Sequence, residues 1–204
     1  MINDLDRTVE ELIKTELAPR IEHLEVSFAA PDSDFHKTIT PPAVDLFLYD
    51  IRENMELRDA AWIVERQFDR LPNGEITEKA FRKRAPVRVD CSYLITAWSG
   101  DGSKSPALEE HLLLSEVMKV LLRYPTIPDV MLQGSLKGQE PPLPAATLQP
   151  GRLQSVGEFW QALGGKPKAA LNYTVTIGVM PDRAIEAEVP VLDKRLQFSP
   201  AVQR

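Results

Sequence analysis

Cys91 and the aspartates Asp45, Asp50 and Asp90 are the residues of this chain whose types could run nucleophilic or metal-assisted chemistry. A nucleophilic cysteine needs an accessible, electropositive place, often a helix N-terminus. Cys91 falls instead within the alternation Val87, Val89, Cys91, Tyr93, Ile95, Ala97, so a core thiol is the expected state. The three aspartates fall on strands expected to be neighbours and could meet, yet no fourth ligand or general acid accompanies them. Glu109-Glu110-His111 could supply a base, although a helix start enriched in acids explains the same triplet. His23, His36 and His111 are far apart and show no ligand spacing with one another or with Cys91. Gly100-Asp101-Gly102 and the pair Gly134 and Gly138 resemble parts of phosphate loops, but neither has the P-loop spacing or its Lys-Ser/Thr, and both read as turns. Trp62, Trp98 and Trp160 are expected as core or interface anchors, because little positive charge accompanies them. No catalytic, metal or cofactor set emerges.

Composition narrows the class further. A chain of 204 residues with 43% hydrophobic content can bury one core and still carry an appendage. The net charge of −6 argues against a general binder of nucleic acid backbones. The one dense basic run, Lys79, Arg82, Lys83, Arg84 and Arg88, is short and has acidic neighbours, so a solvated loop or strand edge is expected there. A single cysteine allows no intramolecular disulfide. Met1 to Arg20 has acids spread through its apolar positions, and no run approaches the roughly 20 apolar residues of a membrane span. Folding in the cytoplasm without membrane insertion is the expectation.

The elements that would position these residues are legible from periodicity. Leu5, Val9, Leu12, Ile13 and Leu17 predict an amphipathic helix from about Asn3 or Asp4 to Leu17, closed by Pro19. Leu24, Val26 and Phe28 alternate as a short strand. Leu46 to Tyr49 are apolar without a break, which predicts a strand in the sheet centre. Residues 60–84 read as a charged β-hairpin about Asn73-Gly74, projecting from the core. Val87 to Trp98 is a half-buried strand, followed by Ser105 as N-cap, Pro106 at the first helical position and an apolar helix to Arg123. That helix is apolar over more than half its circumference and must be covered on more than one side. Residues 126–150 hold five of the seventeen prolines and read as an irregular excursion. Ser155 and Glu158 form a capping box for a short helix containing Phe159, Trp160 and Leu163, and Leu171 to Val179 alternates as a last strand. Beyond Pro181 the chain is extended and charged. The fold class is therefore α+β: a mainly antiparallel mixed sheet with helices packed on one face, a projecting hairpin and an extended C-terminal arm.

Several phrases in this order resemble a known family. They are Leu-Asp-Arg-Thr-Val-Glu-Glu-Leu-Ile (5–13), Val-Asp-Leu-Phe-Leu-Tyr-Asp-Ile-Arg-Glu-Asn-Met-Glu-Leu-Arg (44–58) and Ala-Pro-Val-Arg-Val-Asp-Cys-Ser-Tyr-Leu-Ile-Thr-Ala-Trp-Ser (85–99). Glu-Glu-His-Leu-Leu-Leu-Ser-Glu-Val-Met (109–118), Phe-Trp-Gln-Ala-Leu-Gly (159–164) and Leu-Asn-Tyr-Thr-Val-Thr-Ile (171–177) complete the set. Together they resemble the cap, or tail-terminator, family of extracellular contractile injection systems, particles related to contractile phage tails. The resemblance spans about residues 2–180, and its carrier is the ordered set, since no single motif is diagnostic.

The resemblance implies a tail-terminator-like domain working as a homohexameric ring on the last rings of inner tube and sheath, with those two proteins as partners, no catalytic residues and no cofactor. Residues 60–84 and 126–150 match weakly and look like variable insertions. The expected division is a terminator domain at 1–181 and an arm at 182–204. Spaced apolar residues Val189, Val191, Leu192, Leu196 and Phe198 suit that arm for docking on a neighbouring subunit or on sheath. Two other classes stay open: a small cytosolic enzyme using Cys91 or the aspartates, and an oligomeric adaptor unrelated to tails.

Overall fold

The computed structural model describes residues 1–32, 34–40, 42–70, 72, 74, 76–100, 104–139, 142–149, 156–181 and 185–187. Helix α1 (Ile2–Leu17) buries Leu5, Thr8, Val9, Leu12, Ile13 and Leu17 along the stripe that its periodicity predicts. Strands β1 (Glu25–Ser27) and β2 (Ala43–Glu53) pair in parallel, Ser27 opposite Asp45. Next come β3 (Trp62–Arg70), β4 (Ile76–Arg84) and β5 (Val87–Trp98). Helix α2 (Pro106–Arg123) follows N-cap Ser105, whose carbonyl accepts the amides of Leu108 and Glu109. The chain ends in β6 (Ala145–Thr147), α3 (Val156–Ala162), β7 (Ala170–Val179) and β8 (Ile185–Ala187).

Two compact units result, one of residues 1–58 and 87–179, the other of 59–86 and 180–204. The first is built on a five-stranded sheet in the order β1-β2-β5-β7-β6, antiparallel except for the β1–β2 pair. The centre is therefore β5, where the unbroken apolar run had pointed to β2. In β2 only Ala43 to Leu46 are buried, and Phe47 to Asp50 are half-buried. The long alternation of β5 predicts its place better, because it pairs on both sides over nearly its whole length.

One face of this sheet carries Cys91, Tyr93 and Ile95 from β5 and Tyr173, Val175 and Ile177 from β7, all at most 1% exposed. Helices α1 and α2 pack there, so Leu12, Ile13, Val117 and Leu121 join the same core. The charged side chains of the two helices also meet: Arg20 reaches Glu116 at 2.6 Å, Arg123 pairs with Glu16, and Tyr124 Oη donates to Glu16 at 2.5 Å. The opposite face is covered in part, with Phe159 of α3 at 6.0 Å from Phe47 and Phe35 at 4.8 Å from Trp98, ring centre to ring centre.

The Pro-rich segment is irregular, as its composition predicts, and its described part is packed: Ile127, Leu132, Leu136 and Leu143 belong to the main core, and β6 closes the sheet edge. Two 3₁₀ turns, at Asp129–Met131 and Gly134–Leu136, bring it against α1. Asp4 accepts the amide of Ser135 at 3.1 Å and its hydroxyl at 2.6 Å, and Thr8 Oγ1 accepts the amide of Gln133 at 3.0 Å. These bonds hold the Asp4 carboxyl low, at about 2, the Ser135 hydroxyl contributing most.

The second unit is a three-stranded antiparallel sheet in the order β3-β4-β8. The hairpin pairs in unbroken register from Trp62 opposite Arg84 to Arg70 opposite Ile76. Gly74, between the paired Arg70 and Ile76, adopts φ +88°, a left-handed conformation that favours glycine, while Asn73 lies outside the described residues. Ile185 to Ala187 of the arm lie along β4, opposite Arg82 to Ala80.

Candidate functional site

The residues with chemical potential are dispersed. Cys91 is fully buried, and burial, then the charges of Asp6 and Asp90, push its thiol up to about 11. A thiol held neutral inside a sheet is no nucleophile at neutral pH. Asp45, Asp50 and Asp90 do not assemble. Asp45 is opposite Thr96, Asp50 opposite Ser92 and Asp90 opposite Arg52, so Asp45 lies about 16 Å along β2 from Asp50. Asp50 pairs with Arg52 at 2.7 Å. Asp90 accepts from Asn54 at 3.0 Å and from Thr176 at 2.7 Å. Among the described residues no group of acids, histidines or cysteines is arranged to hold a metal.

Asp45 is the unusual member. It is 0% exposed, and neither carboxyl oxygen closes a hydrogen bond of regular geometry. Burial raises its carboxyl to about 8, with the Ser27 hydroxyl and the Leu46 amide near enough to hold it below what burial alone would give. At neutral pH it is mostly a neutral acid inside the sheet. It lines none of the cavities described below and belongs to no metal-holding group among the described residues.

The helix-start triplet is also structural. Glu110 accepts from Lys168 at 2.8 Å, and that ammonium lies 3.6 Å from the centre of the Trp98 ring. The cavity beside it, about 160 Å³, is lined by His111, Leu114 and Pro167 among others. A larger groove of about 740 Å³ opens beside Tyr49, Asn54, Asp90 and Asn172. Several of its polar groups bond to one another: Tyr49 donates to Asn172 at 3.1 Å, and Asn54 and Thr176 donate to Asp90 at 3.0 and 2.7 Å. Neither cavity holds a nucleophile with its base.

What the described surface does offer is exposed apolar area on regular elements. On α2, Leu108, Leu112 and Leu122 are 61%, 62% and 52% exposed. At about 100° per residue they lie within about 80° of one another, a stripe facing away from the buried Val117 and Leu121. Neither α1 nor the sheet covers it, so the excess apolar surface read in the sequence is real and part of it is unburied. On the hairpin, Trp62, Val64, Phe68 and Ile76 are all exposed. Arg82 and Arg84 stand 5.1 and 5.5 Å from the Trp62 ring centre. Of the three tryptophans, only Trp160 is a fully buried anchor.

The proposed arm contacts, Val189, Val191, Leu192, Leu196 and Phe198, lie outside the described residues, as do Asp101, Gly102 and Ser155. Among the described residues no helix is long and apolar enough to cross a membrane.

Comparison with known proteins gives this arrangement a context. The fold is similar to that of a sheath/tube terminator of an extracellular contractile injection system, PVC, in its extended state: TM-score 0.65, 24% identity, 99% of this chain and 64% of that one covered. It is also similar to the anti-feeding prophage cap, the AFP tube terminating cap, with TM-score 0.60, 25% identity and 97% and 62% coverage. The chain thus spans less than two thirds of the length of either protein. No curated protein sequence matches it. The terminator-like α+β fold expected from the sequence is the fold found. Residues 4–194 match the Pvc16 N-terminal domain, and the chain belongs to that family.

Proposed function

We propose that this chain is a structural cap of a contractile injection particle. It forms a sixfold ring on the finished end of the inner tube and sheath, stops further addition of subunits and ties sheath to tube. The observation that carries this reading is the family match over residues 4–194, joined by a fold shared with two terminators. Its mechanism is surface complementarity, with sheath protein, tube protein and other copies of itself as partners and no turnover. It acts as part of a phage tail-like particle.

Two surfaces suit these contacts. Cyclic rings close through heterologous faces, and the exposed stripe Leu108, Leu112 and Leu122 supplies an apolar half of one. The arm at 182–204 follows the terminator domain at 1–181 and docks on a neighbouring cap subunit or on sheath through Val189, Val191, Leu192, Leu196 and Phe198. The pairing of Ile185–Ala187 with β4 supports an arm that works by strand addition.

Native mass measurement tests the ring: six copies are expected, and a monomer under all conditions contradicts it. Deleting residues 183–204 is expected to lower the ring population or its attachment to sheath, and unchanged assembly removes the arm from the account.

A further inference from the structure

We propose that the free edge of β3 receives an extended, acidic segment of another protein by strand addition. The inference stands on the hairpin alone and is independent of the capping role. In the sheet order β3-β4-β8, one edge is already occupied by Ile185–Ala187, and the other is β3. All nine residues of β3 are exposed. Alternate residues of an antiparallel strand turn their N–H and C=O groups away from the partner strand, so β3 presents a row of backbone groups that no described strand pairs.

Charge selects the occupant. Register puts Trp62, Val64 and Phe68 on one face with Ile76, an apolar strip open to solvent. The same face carries Arg66, Arg70 and Arg82 against, among the described residues, one acid, Glu78, which Arg66 meets at 3.2 Å. Three arginines against one described acid leave that face basic. The other face is balanced: Lys83 pairs with Glu65, and Lys79 lies 4.0 Å from Asp69. A strand added beside β3 places alternate side chains about 5 Å from Arg66 and Arg70. Arg82, one strand further, is about 10 Å away, within roughly a Debye length at physiological salt. Carboxylates alternating with apolar side chains match this face. Lysines at those positions would be repelled.

The probe is a labelled nine-residue peptide of alternating glutamate and valine, with a lysine–valine peptide as counterpart, titrated against the full chain by fluorescence anisotropy. Hydrogen exchange then locates the contact. The acidic peptide is expected to bind at least tenfold more tightly than the basic one and to slow exchange within 62–70. Arg70→Glu is expected to weaken it at least tenfold, and Lys79→Glu on the balanced face to change it less than twofold. Because N–H groups alternate, one of Val64→Pro and Glu65→Pro removes only an outward donor, and that variant should lose the peptide while keeping the hairpin's own exchange protection. Equal binding of both peptides, binding of neither, or protection elsewhere overturns the proposal. Protection of the outward-facing amides of 62–70 in the chain alone also overturns it, because a second copy would then hold that edge.

Discussion

At the residue scale, the groups with chemical potential turn out to govern stability. Asp45 gives the clearest case, and its sign follows from linkage. Its folded value of about 8 lies above the ordinary 3.8, so the folded state holds a proton that the unfolded chain releases. Its contribution is complete below about pH 4 and is lost as pH rises toward 8, with a slope of at most about 1.4 kcal/mol per pH unit. Denaturant midpoints between pH 5 and 8 should fall for the native protein and stay flatter for Asp45→Asn. Equal slopes would show that Asp45 is ionised in the sheet. Asp4 works the other way: held near 2, it contributes above its ordinary range and is lost only as pH falls through about 2. Gly134 has φ +54°, and a Cβ there would run into the Asp4 carboxylate that binds Ser135. Gly134→Ala should cost about 1–3 kcal/mol in a denaturation curve, partly from the left-handed backbone alone. The sequence identified Cys91 as a core thiol from its position in the alternation. It named Asp45 only as one of three aspartates that could meet, and its burial as a neutral acid becomes legible only when the residues covering that face of β2 are known.

At the element scale, regular periodicity was readable and irregular packing was not. Helix α2 begins and ends where Ser105, Pro106 and Tyr124-Pro125 place it, and the hairpin and β7 follow their alternation. The segment 126–149 has no period, since its prolines and short 3₁₀ turns insert leucines into the core singly. Its role therefore appears only when Leu132, Leu136 and Leu143 are seen against α1 and α2. The short partner strand β6 is hidden for the same reason, being three residues long, whereas β1 falls within the alternation of Leu24, Val26 and Phe28. The stripe on α2 carries its own prediction. Leu112 is exposed, so Leu112→Asp should change the stability of the isolated chain by less than about 0.5 kcal/mol. It should nevertheless reduce the sixfold species in native mass spectra. A ring population equal to that of the native chain would take this face out of the interface.

At the scale of the whole molecule, the absence of an assembled catalytic group among the described residues and the presence of exposed apolar faces on rigid elements are two sides of one economy. Main-chain pairing fixes the five-stranded sheet, α1 and α2 fill one face, and what is left outward is suited to contact. The β3 edge and the α2 stripe are two such surfaces among the described residues, and a terminator needs several: one for its own copies and others for tube and sheath. The central claim is that the chain ends a stack by binding it. The most direct measurement is electron microscopy of tube and sheath proteins assembled with and without this chain, recording lengths and end views. The account predicts a sixfold ring on one end of each particle and a length distribution that narrows when the chain is present. Bare ends with the same broad lengths in both samples would contradict it.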